Sequence, residues 1–227
     1  MRILGVLTIG QSPRADGLTR DVQAIVGPGV RVVERGALDG LSRAEIDRLA
    51  PKPGDYHLIT MLADGSSVQL GKAAILDRLQ ARIEQLEAED EAGATLLMCT
   101  GAFPRFTHQR PLCQPQAALY GAVAGLAAGE RIGALEPLVA QLDQGQAKWR
   151  ALGHDDVILA AANPYVPEPL EAIRRSAAGV REAGAGILFM DCFGYSLEMA
   201  AAARAAFGGP VVLARSLAAR LAAELIA

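Results

Sequence analysis

Short apolar runs closed by Gly, Pro or Asp alternate with longer stretches in which apolar residues recur at helical spacing. Residues 3–7 and 30–33 read as the first two strands. Between residues 57 and 71, two extended runs flank Asp64-Gly65, a pair that favours a hairpin. Ala74, Ile75, Leu79, Ile83 and Leu86 make a helical stripe, with Gly93 as its expected stop. A strand then runs up to Cys99, and residues 116–128 read as helix. The pattern continues with a strand at 132–135, a helix at 138–152 and a strand at 157–161 ending at Asn163-Pro164. A helix at 170–182, closed by Gly184, precedes a strand at 187–190 that ends at Asp191-Cys192. A helix at 200–207, a strand at 211–213 and a helix at 217–226 complete the series. Apolar strands without alternation, separated by helices, predict parallel sheets with helices on both faces, an α/β protein.

The series runs twice. "RILGVLTIG" corresponds to "RIGALEPLV", "VRVVERGALDG" to "VILAAANPY" and "ATLLMCTGAF" to "AGILFMDCFGY". More loosely, "RPLCQPQAALYGAVAG" corresponds to "GPVVLARSLAARLAAE". Four pairs in the same order predict a duplicated lobe. The expected first lobe takes residues 1–115 plus about 210–227, with an inserted hairpin segment at about 41–72. The expected second lobe takes 116–209. A pseudo-twofold relation would set the strand ends of the two lobes across a cleft.

Composition narrows the function classes. The chain has 227 residues, is 51% hydrophobic and carries a net charge of −3, so no basic field exists to attract nucleic acid or an anionic membrane. No apolar segment is long enough to span a bilayer, and the N-terminal run reads as a core strand, not a leader. Three cysteines, Cys99, Cys113 and Cys192, stand far apart without a CxxC, which argues against a disulfide framework or structural zinc. Free thiols fit a reducing, cytoplasmic setting. Neither a GxGxxG turn nor a Walker loop follows the first strand, so "GQSPRADG" is not read as a phosphate cradle of either kind.

Ligands of parallel α/β sheets bind beyond the carboxyl ends of the strands. Thr8, Gln11, Ser12 and Arg14 follow the first strand; Cys99, Thr100 and Gly101 follow one later strand, and Asp191, Cys192, Gly194 and Tyr195 follow its counterpart. Asn163 closes another. Two opposed thiols suit inversion of a stereocentre beside a carboxylate, one as thiolate removing a proton and one as thiol returning it. Helices starting after Gly101 and Gly194 would add their dipoles. Simpler readings stand beside these. Ser12-Pro13 can cap a first helix, and Arg14 can clamp a carboxylate or lie on the surface. Asp191 can orient its neighbours or accept backbone N–H groups, and Asn163 and Tyr195 are pocket polar groups. Cys113 has no echo and reads as packing. His108 can act as a base for Cys99, although His57, His108 and His154 more simply read as loop or surface residues.

The set "LTIGQSPR", "LDGLSRAEI", "LLMCTGAFP", Lys148-Trp149, "NPY" at 163–165, "DCFGYS" and "LAARLAAEL" resembles the AroM family along essentially the whole chain. More distantly it resembles the aspartate/glutamate and hydantoin racemase superfamily. The resemblance implies two pseudo-symmetric Rossmann-like lobes, an active site between them, no cofactor, a small carboxylate substrate and a possible homodimer. The superfamily's paired cysteines map onto Cys99 and Cys192, although Phe193 stands where a Thr usually follows the second. The expected function is a cofactor-independent racemase or isomerase using cysteine acid/base chemistry. The alternatives are a non-catalytic small-molecule binding or sensor protein on the same scaffold, and a single-cysteine lyase or decarboxylase.

Overall fold

The computed structural model describes residues 1–226. Its elements run β1 (Arg2–Thr8), α1 (Leu18–Val26), β2 (Val30–Gly36), α2 (Arg43–Asp47), β3 (His57–Met61), β4 (Ser67–Gly71), α3 (Leu76–Ala88), β5 (Ala94–Met98) and β6 (Leu112–Cys113). The second series is α4 (Gln116–Ala127), β7 (Ile132–Glu136), α5 (Leu142–Arg150), β8 (Ile158–Ala161), α6 (Leu170–Glu182), β9 (Ile187–Met190), α7 (Leu197–Phe207), β10 (Val211–Leu213) and α8 (Ala214–Glu224). The chain divides into two compact units. One takes Met1–Pro115 and the residues from Ala218, the other Gln116–Leu217. Helix α8 therefore begins in the second unit and ends in the first, where the Arg2 guanidinium donates to the Ile226 carbonyl at 2.7 Å.

In the first unit a parallel sheet has the order β2-β1-β5-β6, and β3-β4 forms a separate antiparallel pair. In the second unit the order is β8-β7-β9-β10, again all parallel. Matched in chain order, the two four-stranded sheets have one topology, and their registers coincide. Gly5 of β1 faces Thr95, and Gly133 of β7 faces Leu188. From that alignment the same non-helical hydrogen bonds recur. Ala37 N–H donates to Thr8 and Ala162 N–H to Glu136. Gly93 donates to Ile3 and Gly186 to Arg131; Thr95 donates to Pro111 and Leu188 to Pro210.

Both alignment glycines are there for lack of space. A Cβ on Gly133 would stand 2.1 Å from Val180 Cγ1, and one on Gly5 would stand 3.1 Å from Leu86. Each lets the helix before the third strand lie directly on the central strand. The central strands are sealed on both faces, Leu4, Val6 and Leu7 in one unit and Ala134, Leu135 and Phe189 in the other, which is why they read as continuous apolar runs.

The structure departs from the sequence expectations in particular places. Ser12-Pro13 caps no helix. The first helix starts at Leu18 behind Gly17, and the Ser12-Pro13 bond is cis. Gly93 does not stop α3, which ends at Ala88; the left-handed residue there is Glu91, and Gly93 leads into β5. No helix follows Gly101 directly, since residues 102–111 run without regular structure to β6. After Gly194 one does follow, capped by Ser196. Helix α2 was not anticipated, although Ser42 and Glu45 form a capping box that the sequence spells as S-x-x-E. Residues 210–217 lie in the second unit, because β10 pairs with β9.

Candidate functional site

The common register places Cys99 and Cys192 at equivalent positions, one residue beyond Met98 and Asp191. Each thiol is held the same way. The N–H of the glycine two residues on donates to the sulfur, Gly101 to Cys99 Sγ at 3.4 Å and Gly194 to Cys192 Sγ at 3.3 Å. An N–H aimed at sulfur favours the thiolate over the thiol, since only the anion gains a charge-assisted bond. Cys99 is half-buried and Cys192 is 9% exposed.

Around Cys99 the loop is fastened from the hairpin side. Lys72 Nζ donates to the Ala102 carbonyl at 2.7 Å and sits over the Tyr56 ring, whose hydroxyl accepts the Ala102 N–H at 3.4 Å. Thr100 is buried beside Cys99. The loop after β1 is tied internally. Thr8 Oγ1 accepts from Gly10 N–H and from Arg14 Nη1, both at 3.2 Å. Arg14 is buried. Its Nη1 also reaches Thr60 at 3.1 Å, and Nε and Nη2 grip the Asp16 carboxylate at 3.2 and 2.6 Å. Ser12 gives its N–H and hydroxyl to Asp39 at 2.7 and 2.6 Å. Gln11 bridges Leu41 O and Ala63 N–H. These four residues thus build the loop around one another, with Asp16, Asp39 and Thr60 as partners that the sequence reading did not name. Burial raises the nearby Glu34 carboxyl above its ordinary range, against the opposing bonds from Thr19 and Arg14.

Cys192 stands in a different setting. Asp191 is 1% exposed, and its Oδ2 accepts from Lys148 Nζ at 2.7 Å and from the Tyr120 hydroxyl. Glu136, also sealed, lies 3.5 Å from the same ammonium. Gly145 of α5 makes room for it, since a Cβ there would stand 2.4 Å from Glu136 Oε1. Burial, then the Asp191 charge, push the Glu136 carboxyl well above its ordinary range, and Lys148 opposes them. Two buried carboxyls around one ammonium are close to neutral when one keeps its proton, and burial beside Asp191 favours the protonated form of Glu136. Tyr120 is likewise pushed up by burial and by Asp191.

Tyr195 is not a pocket group. It is fully buried and donates to the Ala162 carbonyl at 2.6 Å; burial first, and then Cys192, hold its ionisation well above the ordinary value. Asn163 Oδ1 accepts the Tyr165 N–H at 2.8 Å, and that turn brings the Tyr165 hydroxyl to 3.8 Å from Cys192 Sγ. Tyr165 also explains Gly194, because a Cβ there would meet its ring at 2.4 Å. Cys113 is edge-strand packing, its thiol pushed by burial up to about 11. Sequence reasoning missed Glu136, Tyr120, Tyr165 and Arg215 as site residues. The one available signal was a charged residue, Glu136, closing an apolar run. Among the described residues, no group of three or more His, Cys, Asp and Glu side chains is arranged to hold a metal ion, and no helix is long and apolar enough to cross a membrane.

Two parallel sheets of one topology, each delivering a cysteine at the same register, define a two-lobed α/β protein of the aspartate/glutamate racemase fold. A family model described as AroM protein matches residues 4–226, and the chain belongs to the AroM family. Among solved structures it is similar to allantoin racemase from Pseudomonas fluorescens, with a TM-score of 0.62 and 17% identity over 100% of this chain and 91% of that one. Picrophilus torridus aspartate racemase superposes with a TM-score of 0.60 at 13% identity, over 99% and 94% of the two chains. An arylmalonate decarboxylase gives 0.58 at 14% identity, over 99% and 91%. No curated protein sequence matches the chain.

Proposed function

We propose that the protein is a cofactor-independent enzyme of racemase or isomerase type, acting on a small carboxylate with Cys99 and Cys192 as acid and base. The observation that carries this reading is the doubled sulfur geometry: equivalent register and the same glycine N–H on each Sγ. Packing alone does not require that two thiols, 93 positions apart (192 − 99), each be aimed at an N–H. One cysteine, as thiolate, takes the proton from the carbon beside the carboxylate; the other, as thiol, returns one to that carbon. The loops carrying Thr8, Gln11, Ser12, Arg14, Thr100 and Asn163 hold the carboxylate, with Arg14 fixing its own loop through Asp16. The racemase and decarboxylase folds named above support this class of chemistry.

The test is a solvent-deuterium exchange screen over amino acids, dicarboxylates and hydantoins, followed by Cys99→Ser and Cys192→Ser on any compound that exchanges. Each substitution is expected to lower exchange by roughly 10²–10⁴-fold, the usual weight of a positioned acid or base. A ligand that binds equally well to the double variant, with no exchange in any form, would identify a binding protein instead.

A second reading has its own observation. Cys192 has a tyrosine hydroxyl beside it and a buried charge network behind it. If Cys192→Ser alone abolishes turnover and product appears with loss of CO₂, the protein is a single-cysteine decarboxylase.

A further inference from the structure

Arg215, on the first turn of α8, is fully buried and points into the loop that carries Cys192. Its Nε and Nη2 both donate to the Phe193 carbonyl, at 2.9 and 2.8 Å, and Nη2 also reaches the Gly194 carbonyl at 3.4 Å. The Phe193 carbonyl belongs to the same peptide unit as the Gly194 N–H. That N–H is the one donated to Cys192 Sγ. The peptide is trans, so its oxygen faces the guanidinium and its hydrogen faces the sulfur. Guanidinium, peptide and sulfur thus form one chain of hydrogen bonds, and a cation on the carbonyl end strengthens the donor at the other end.

The Cys99 loop of the first unit is fastened by a different cation. Continuing the register past Leu112 and Val211 sets Gln116 at the position of Arg215. The cation that grips the Cys99 loop is Lys72, which donates to the Ala102 carbonyl, two peptides beyond the one that carries the Gly101 N–H. Each sulfur receives a glycine N–H, and the one on Cys192 has a guanidinium behind it.

We infer that Arg215 is a positioning residue for Cys192, acting through the Phe193–Gly194 peptide to hold that sulfur as the anionic member of the pair. Its catalytic meaning rests on the acid/base reading above; its effect on Cys192 does not. Among the described residues, titratable or charged groups around Cys192 include Tyr165 before α6, Asp191 and Tyr195 on its own loop, Glu136 at the end of β7, Lys148 on α5 and Tyr120 on α4. All of them stay in place in the comparison that follows.

The experiment is alkylation by iodoacetamide across pH, in a full-length Cys99→Ser, Cys113→Ser background where Cys192 alone reacts. Arg215→Met is expected to slow alkylation near neutral pH roughly 10-fold, the equivalent of about one unit in the thiol's midpoint. Arg215→Lys, which keeps a charge but not the paired donors, is expected to fall between. All three rates should converge at high pH, where every form is thiolate. An unchanged profile overturns the assignment, and so does a deficit that persists at high pH, since that reports access or damage.

If Arg215→Met alkylates as fast as denatured chain, it has unfolded. Arg215→Lys and a second measurement on the unaltered protein then decide. In that measurement the Arg215 Nε–H and Gly194 N–H resonances are followed through the titration of Cys192. Both are expected to move with one midpoint; an Arg215 resonance that stays still overturns the inference. Failure of the deuterium-exchange screen with these results intact would remove the proposed reaction and leave the coupling standing.

Discussion

The two central strand pairs end on different chemistry. In the first unit β1 and β5 close on Thr8 and Met98; at the same register β7 closes on Glu136, and Asp191 is the first residue beyond β9. The two first-strand carbonyls are bonded alike, Thr8 O accepting from Ala37 N–H and Glu136 O from Ala162 N–H. What differs is whether the space behind the cysteine holds neutral or ionisable groups. Thr8 is satisfied by a loop arginine that has its own aspartate. Glu136 and Asp191 instead share one lysine in a sealed space. A duplicated scaffold has kept its ladder and diverged at the residues next to the sulfur. The two cysteines therefore occupy equivalent places with unequal surroundings.

The largest expected break in the comparison comes from Lys148→Met. It leaves Asp191 and Glu136 buried around an apolar chain, and uncompensated buried charge of this kind costs about 3–5 kcal/mol. Urea denaturation of the variant should show a loss of that order. A loss under about 1 kcal/mol would mean that water reaches the network. Next in size is Gly194→Ala. The added methyl would overlap the Tyr165 ring and approach Pro164 at 2.9 Å, so roughly 1–3 kcal/mol is expected together with displacement of Tyr165 from Cys192. Gly101→Ala meets Phe103 and Leu58 only at 3.1–3.2 Å and should cost less. Equal losses at the two glycines would remove the asymmetry assigned to the Cys192 side.

Much of the scaffold was legible because strands buried on both faces leave continuous apolar runs, and four such runs recur in one order. The two cysteines were legible for the same reason: each ends a matched run. The fastening of the site was not. Arg14, Ser12 and Gln11 could be placed after a strand, but their partners Asp16, Asp39 and Ala63 are fixed by loop geometry, which carries no period. Glu136, Lys148 and Asp191 are scattered in sequence and meet only because β7, α5 and β9 are adjacent layers. Arg215 sits in an alanine-rich helix that looks merely amphipathic until α8 is set against the Cys192 loop.

A smaller effect is read through pH. Glu136 binds its proton more tightly folded than unfolded, so its contribution is full below about pH 4.3, the unfolded value, and is lost as pH rises through the raised folded value. Glu34 in the first unit shifts in the same direction. Glutamine at 136 cannot ionise and keeps the shape. Glu136→Gln is therefore expected to match the parent in acid and to become progressively more stable than it as pH rises above that point, read by denaturation at several pH values. A variant that instead becomes less stable than the parent as pH rises would mean that Glu136 is ionised in the folded protein.

The smallest effect tests the pairing itself. Cys113 ends β6, and the register that equates Leu112 with Val211 equates Cys113 with Val212 of β10. The repeat thus shows a valine accommodated at that place. Burial keeps the Cys113 thiol protonated, up to about 11, so it supplies no thiolate near neutral pH. Cys113→Val should change stability by less than about 1.5 kcal/mol, the usual range for a near-isosteric swap. It should also leave deuterium exchange, where exchange is found, at the parent rate, while Cys99→Ser and Cys192→Ser do not. Loss of exchange in a stable Cys113→Val protein would show that register equivalence does not select the working thiols, and the pairing of Cys99 with Cys192 would lose its physical basis.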